Sequence, residues 1–321
     1  MSAHLALGPG REFDRIRAIA AALGPAASSL GNDCALVAGE GLLALSTDVS
    51  VEGVHFRREW LSGEEIGWRA AAAALSDLAA SAATPIGLLA AVTLPADASE
   101  ADLTAVMRGV GGAAVAAGGK VLGGDLSRGA EWSIAITVVG RTARALTRAG
   151  AKTGDRVWVT GSLGAARAAL SHWVRSESPP ADARQAFVRP EPRIAAGLAL
   201  AGLGAHAMLD LSDGLGGDAR HLAAASGIAL AIELERIPVA PAALAEAQRA
   251  GLDASRFAAE GGEDYELLVA LPPTFGEGDA AELTRACAVP LTMIGEVRTG
   301  SGVRYSLHGA PVELGGWDHF A

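Results

Sequence analysis

The chain has 321 residues, enough for two domains of ordinary size. Half of it is hydrophobic and only 4% is aromatic, so the core must be built mainly from Ala, Val, Leu and Ile. A formal charge of −10 argues against binding a nucleic-acid backbone, which needs clustered Lys and Arg, yet leaves phosphorylated small molecules open because bound Mg²⁺ reverses the local sign.

Cys34 and Cys287 are far apart and have no metal-ligand spacing, so both read as reduced small hydrophobes. The N-terminus lacks a basic region followed by an apolar signal core, and apolar runs such as Ala70 to Leu75 are too short to span a bilayer. The expectation is a soluble cytoplasmic protein with no membrane or nucleic-acid partner.

In chain order, Phe13, Ile16, Ile19, Ala20 and Leu23 recur at helical spacing and predict a helix over Glu12 to Leu23, stopped by Gly24-Pro25. Gly31-Asn32-Asp33-Cys34 leads into a strand, and Asp33 taken alone is a turn residue. Leu42 to Leu45 predicts a buried strand ending at Ser46-Thr47-Asp48. These hydroxyls and carboxylate are either a polar turn or the hard oxygen donors that Mg²⁺ takes. Ser62-Gly63-Glu64-Glu65 predicts an N-cap with acids in the first turn of a helix running to Leu78. Asp77 falls inside that apolar helix, where a carboxylate is costly to bury unless paired or metal-bound.

Leu88 to Leu94 predicts a strand, Ala101 to Ala117 a helix, and Val121 to Asp125 a short strand ending in a glycine turn. That turn is an ordinary one, or Gly123 and Gly124 let a nucleotide phosphate approach while Asp125 holds a metal. Trp132 to Gly140 is a further strand, and the loop Ala149 to Asp155 marks a boundary between domains 1–150 and 151–321.

The second half opens with a strand, Arg156 to Thr160. Gly161-Ser162-Leu163-Gly164 then starts a helix whose N-terminus is either an anion site or a plain turn. Ser176 to Pro180 and Arg189 to Pro192 read as loops. The strand Ala207 to Leu211 runs into Ser212-Asp213-Gly214 and a helix through His221, a packing residue, to Ala225. Asp210 and Asp213 flank Ser212, more acid than one helix cap requires. Ala229 to Leu234 and Leu267 to Leu271 are strands, the latter preceded by Gly262-Glu263-Asp264-Tyr265-Glu266, and another helix and strand end near Gly295. A Trp317 to Phe320 aromatic pair at a terminus suggests docking or ligand stacking. Alternating strands and helices give a mixed α/β chain, with no Walker loop, dinucleotide fingerprint or kinase catalytic loop.

The ordered set Gly31-Asn32-Asp33-Cys34-Ala35, Ser46-Thr47-Asp48, Glu52-Gly53-Val54-His55-Phe56, Leu75-Ser76-Asp77-Leu78, Gly123-Gly124-Asp125, Leu146-Thr147-Arg148-Ala149-Gly150, Asp210-Leu211-Ser212-Asp213-Gly214, Gly262-Glu263-Asp264-Tyr265-Glu266 and Gly316-Trp317-Asp318-His319-Phe320 resembles the thiamine-monophosphate kinase family. That family sits in the superfamily that includes aminoimidazole ribonucleotide synthetase. The resemblance covers nearly the whole chain. It implies a homodimeric two-domain α/β protein whose N-terminal sheet forms a dimer barrel, and transfer of a phosphoryl group from ATP to thiamine monophosphate. It also implies several Mg²⁺ ions bound by Asp33, Ser46, Thr47, Asp48, Asp77, Asp125, Asp210 and Asp213. Gly124, Asp125, Arg148 and Ser212 would contact ATP, and His55, Glu263 and Trp317 the thiamine substrate. Asn32 and Met107 depart from the family, which usually has Asp and an aromatic residue there.

The implied chemistry needs no side-chain base. A phosphate monoester's second pKa is about 6, so the attacking oxygen is already ionised at neutral pH. Two other readings compete: a related enzyme that activates an amide or formyl oxygen with ATP, and a nucleotide-binding regulator without turnover.

Overall fold

The structure, a computed structural model, describes Gly10, Asp14, Arg17 and residues 32–39 and 41–316. The predicted first helix, apart from the helical Asp14 and Arg17, and the C-terminal aromatics including Trp317 lie outside the described residues.

The first sheet has strand order β1-β2-β5-β3-β4. Its strands are β1 (Ala35–Gly39), β2 (Gly41–Val51), β3 (Thr84–Leu94), β4 (Val121–Arg128) and β5 (Ser133–Thr142). Neighbours are antiparallel except the parallel β3–β4 pair. Two helices cover one face, α1 (Gly63–Ala80) and α2 (Glu100–Ala116), each started by a capping box, Ser62 with Glu65 and Ser99 with Asp102. The helices pack backbone to backbone: a Cβ on Gly67 would meet the Val106 carbonyl at 1.9 Å, and one on Gly109 the Glu64 carbonyl at 1.9 Å.

The predicted strand end at Ser46 is corrected here. β2 runs on through Ser46-Thr47-Asp48 to Val51, in unbroken register with β5. Alternation then decides what each side chain meets: Ala44, Ser46 and Asp48 share the face toward α1, while Thr47 and Val49 take the other. The turn predicted at Asp125 is likewise β strand, since β4 continues to Arg128.

The second sheet has strand order β12-β11-β8-β10-β6-β9-β7. It comprises β6 (Arg156–Thr160), β7 (Ala207–Asp210), β8 (Ala229–Glu233), β9 (Leu267–Leu271), β10 (Leu291–Arg298), β11 (Gly302–Leu307) and β12 (Ala310–Val312). All pairs are antiparallel except β8–β11. β9 is apolar and buried in every position because both faces of the sheet are covered there. Val157 and Val159 join one core with helix α6 (Leu215–Ser226), whereas Trp158 joins the opposite core with α5 (Ile194–Gly202) and α9 (Glu277–Cys287). Helices α3 (Ala165–Val174), α4 (Ala181–Val188), α7 (Pro241–Ala250) and α8 (Ala254–Ala259) complete this half. The sequence reading did not predict α4, α5, α7, α8, β11 or β12. No helix among the described residues is long and apolar enough to cross a membrane.

The two halves meet along α1. Arg184 of α4 pairs with Glu65 at 2.6 Å, and the Trp68 indole donates to the Pro190 carbonyl at 3.0 Å. Gly197 of α5 lies so close that a Cβ would meet the Ala79 carbonyl at 2.1 Å.

Candidate active site

A cavity of about 790 Å³ opens between the halves. Four separate pieces of chain bring acids to one end of it. Asp33 precedes β1, Asp48 lies on the inner face of β2, Asp77 comes from the last turns of α1, and Asp210 and Asp213 flank the turn between β7 and α6. Carboxylate oxygens of Asp33, Asp77 and Asp210 all lie within 4.8 Å of one another. The Ser46 hydroxyl donates to Asp77, and Ser212 lines the same wall.

These acids are held at electrostatic cost. Burial, then the charges of Asp48, Asp210 and Asp33, push Asp77 well above the usual carboxylate range. Asp210 is pushed up to about 8, first by burial and next by Asp33. Arg148 donates to both oxygens of Asp33, at 2.8 and 3.1 Å, but does not neutralise the rest. An all-oxygen donor set, crowded and short of positive charge, suits a hard divalent cation, so the residues present fit Mg²⁺.

Other parts of the lining differ in chemistry. His55, Arg69, Arg167, Phe187, Glu263 and Tyr265 also line the cavity. His55 Nδ1 accepts the Val51 N–H at 3.1 Å, which fixes the ring at the end of β2. Glu263 sits on a segment bound to the turn that carries the acids. Its N–H donates to the Ser212 carbonyl at 2.7 Å, and the Tyr265 N–H to the Leu211 carbonyl at 2.8 Å. Glu263 and Tyr265 both have positive φ, 71° and 51°, a conformation that costs non-glycine residues on the order of 1 kcal/mol or more each. The flanking bonds hold it in place, so acid turn and Glu263 move as one piece.

The remaining predicted residues fall elsewhere. Thr47 points away from the cavity, and its hydroxyl lies 2.8 Å from that of Thr137 on β5. Asp125 is exposed on β4, in register with Ala91, on the same outer face as Thr47. Gly124 is packed so that a Cβ would meet the Ala90 carbonyl at 1.9 Å, which by itself accounts for a glycine there. Gly315 and Gly316 reach the rim of the cavity, and Trp317 follows them outside the described residues. The anion site considered at the start of α3 is filled by the protein itself: the Asp264 carboxylate accepts the Gly164 N–H at 2.9 Å.

Sequence reasoning missed Arg69, Arg167 and Asp218. The signal for Arg69 was a lone arginine in the alanine-rich face of α1. Asp218 is buried, with its carboxylate accepting the Asp213 N–H at 3.1 Å, so it braces the acid turn from behind.

Fold and site together define a two-domain α/β protein with a carboxylate-lined cleft between its sheets. Residues 31–142 match the AIR synthase related protein N-terminal domain, and residues 152–307 the C-terminal domain of the same family. A thiamine-monophosphate kinase of Halobacterium salinarum is 36% identical over 94% of this chain and 99% of its own. That of Escherichia coli K12 is 36% identical over 97% of this chain and 96% of its own. A solved structure of AaThiL complexed with AMPPCP and TMP superposes with a TM-score of 0.87, at 33% identity and over 97% of both chains. The chain belongs to the thiamine-monophosphate kinase family of AIR synthase related proteins.

Proposed function

We infer that the protein catalyses ATP-dependent phosphorylation of thiamine monophosphate to thiamine diphosphate. The observation that carries this reading is the convergence, in one cleft, of the clustered carboxylates Asp33, Asp77 and Asp210 with Glu263 and His55. The match to AaThiL, solved with an ATP analogue and TMP, supports the same assignment of substrates.

The polyphosphate donor and the phosphate acceptor repel each other, and Mg²⁺ bound at the acids would neutralise that charge and stabilise the transferring phosphoryl group. Asp33, Asp48, Asp77, Asp210 and Asp213, with Ser46, are the residues that would hold it. Arg148, braced by Asp33 and lining the cleft, is available to the nucleotide phosphates, with Ser212 beside it. His55 and Glu263 orient the thiamine end, so the acceptor phosphate faces the acids. The acceptor oxygen attacks the γ-phosphorus in line and ADP departs, and positioning supplies the rate. No protein nucleophile intervenes: Cys34 is buried, and burial first and then Asp77 push its thiol far up from the thiolate range.

We place Thr47 and Asp125 at a homodimer interface. The outer face of the first sheet carries Val49 and Leu89, 46% and 42% exposed. Such a patch favours burial against a second copy. The protein is read as acting in the cytoplasm.

The test is formation of ADP and thiamine diphosphate from ATP, Mg²⁺ and thiamine monophosphate. ATP hydrolysis dependent instead on an amide or formyl acceptor would move the protein to another branch of the superfamily, and ATP binding without turnover would make it a regulator.

A further inference from the structure

Arg69 is 5% exposed, projects from α1 of the N-terminal half, and is committed entirely to the C-terminal half. One guanidinium nitrogen donates to the Phe187 carbonyl at 2.8 Å, and the group stacks 3.8 Å over the Phe187 ring. The other terminal nitrogen donates to Glu263 Oε2. The Tyr265 hydroxyl donates to the same oxygen at 2.8 Å. Both donors therefore converge on Oε2. Among the described residues no hydrogen bond reaches Oε1, and Glu263 lines the cavity with 29% of its side chain exposed.

We propose that Arg69 and Tyr265 are positioning residues that fix Glu263 by one oxygen and present the other as an acceptor-only group, making this carboxylate the determinant that selects an amino over an oxo pyrimidine. The proposal rests on thiamine monophosphate being the acceptor. Outside its phosphate, thiamine monophosphate with an unprotonated pyrimidine has a single donor group, the exocyclic amino group of that ring. A carboxylate can only accept, so an amino group satisfies Oε1, whereas the oxo compound puts an acceptor at that position and moves its N–H to the neighbouring ring nitrogen. Arginine can only donate, so its orientation with respect to Glu263 is not reversible. The strained backbone at Glu263 and Tyr265, held by the Ser212 and Leu211 carbonyls, is consistent with a side chain whose direction matters.

The experiment compares thiamine monophosphate with oxythiamine monophosphate, which has an oxo group in place of that amino group, by KM and kcat and by calorimetric binding with a non-hydrolysable ATP analogue and Mg²⁺. The wild-type protein should prefer the amino compound by on the order of 10²-fold, read mainly in KM. In Glu263→Gln, Arg69 and Tyr265 hold the amide oxygen, so the amide N–H₂ faces the cavity and the preference should invert toward the oxo compound. In Glu263→Gln combined with Arg69→Met the amide is free to turn, and the preference should collapse toward unity. Tyr265→Phe, which removes only a hydroxyl, should reduce wild-type discrimination and keeps the test open if the Arg69 variant does not fold. ATP affinity should be unchanged in every folded variant.

Equal affinity of the wild-type protein for both compounds would overturn the proposal while leaving the kinase reading intact, because the thiazolium and phosphate are common to the two. So would a Glu263→Gln variant that loses affinity for both without inverting. Wild-type protein that binds ATP but neither thiamine compound would overturn the kinase reading and this one together.

Discussion

Asp77 shows how a single residue sets stability against function. Its carboxylate is buried among Asp33, Asp48 and Asp210, which raises its proton affinity and destabilises the metal-free protein. Asp77→Asn should therefore raise the melting temperature of metal-free protein, abolish the further rise on adding Mg²⁺, and lower turnover on the order of 10²-fold or more. Near-normal turnover at limiting Mg²⁺ would remove Asp77 from the mechanism. Asp210 provides the corresponding pH dependence. Its folded-state pKa is raised from 3.8 to about 8, so the folded form keeps a proton that the unfolded chain has released. That contribution to stability is complete below the unfolded value and is lost as pH rises toward about 8. A cation takes the proton's place, so the thermal shift given by Mg²⁺ should be larger near the top of this window than near its bottom. The difference should shrink in Asp210→Asn, and a shift of equal size across the window would refute this coupling of proton and cation.

At the scale of the element, α1 joins the two functions of the cleft. Arg69 braces Glu263 and Asp77 joins the acids, two turns apart on a helix that both halves of the protein grip. Its position depends on glycine at Gly67, Gly109 and Gly197, where neighbouring backbone leaves no room for a Cβ. Gly109→Ala places a methyl group 1.9 Å from the Glu64 carbonyl unless α1 and α2 separate. Overpacking of this kind costs about 1–3 kcal/mol, and the absence of a flexible side chain at the contact puts Gly109→Ala at the upper end. Chemical denaturation should show that loss, together with a raised Mg²⁺ requirement because α1 carries Asp77. Unchanged stability would mean that the helices part without penalty.

For the whole molecule, the outer face of the first sheet is uncovered and carries the exposed apolar residues Val49 and Leu89. Leu89→Asp puts a charge at its centre, in register with Thr137 and away from the cavity. Light scattering should show a dimer for the wild-type protein and a monomer for Leu89→Asp, with the fold retained by circular dichroism. A wild-type monomer would leave Thr47 and Asp125 without the role proposed for them.

Much of this architecture is legible in the primary structure because it is local. The cap at Ser62 and the apolar strand Leu267 to Leu271 depend on neighbours within a few positions. The special status of Asp77 within α1 is legible for the same reason, since a carboxylate set among alanines and leucines must find a partner or a cation wherever that helix packs. What the tertiary structure alone decided is which face each residue takes and what it meets there. Ser46, Thr47 and Asp48 are consecutive, but pairing of β2 with β5 sends Ser46 and Asp48 into the cleft and Thr47 to the opposite side. Glu263 is held by Arg69, 194 positions away in sequence, and Asp33 by Arg148 across 115. Such contacts arise when long-range strand pairing and helix packing close the chain on itself, and no local pattern encodes them.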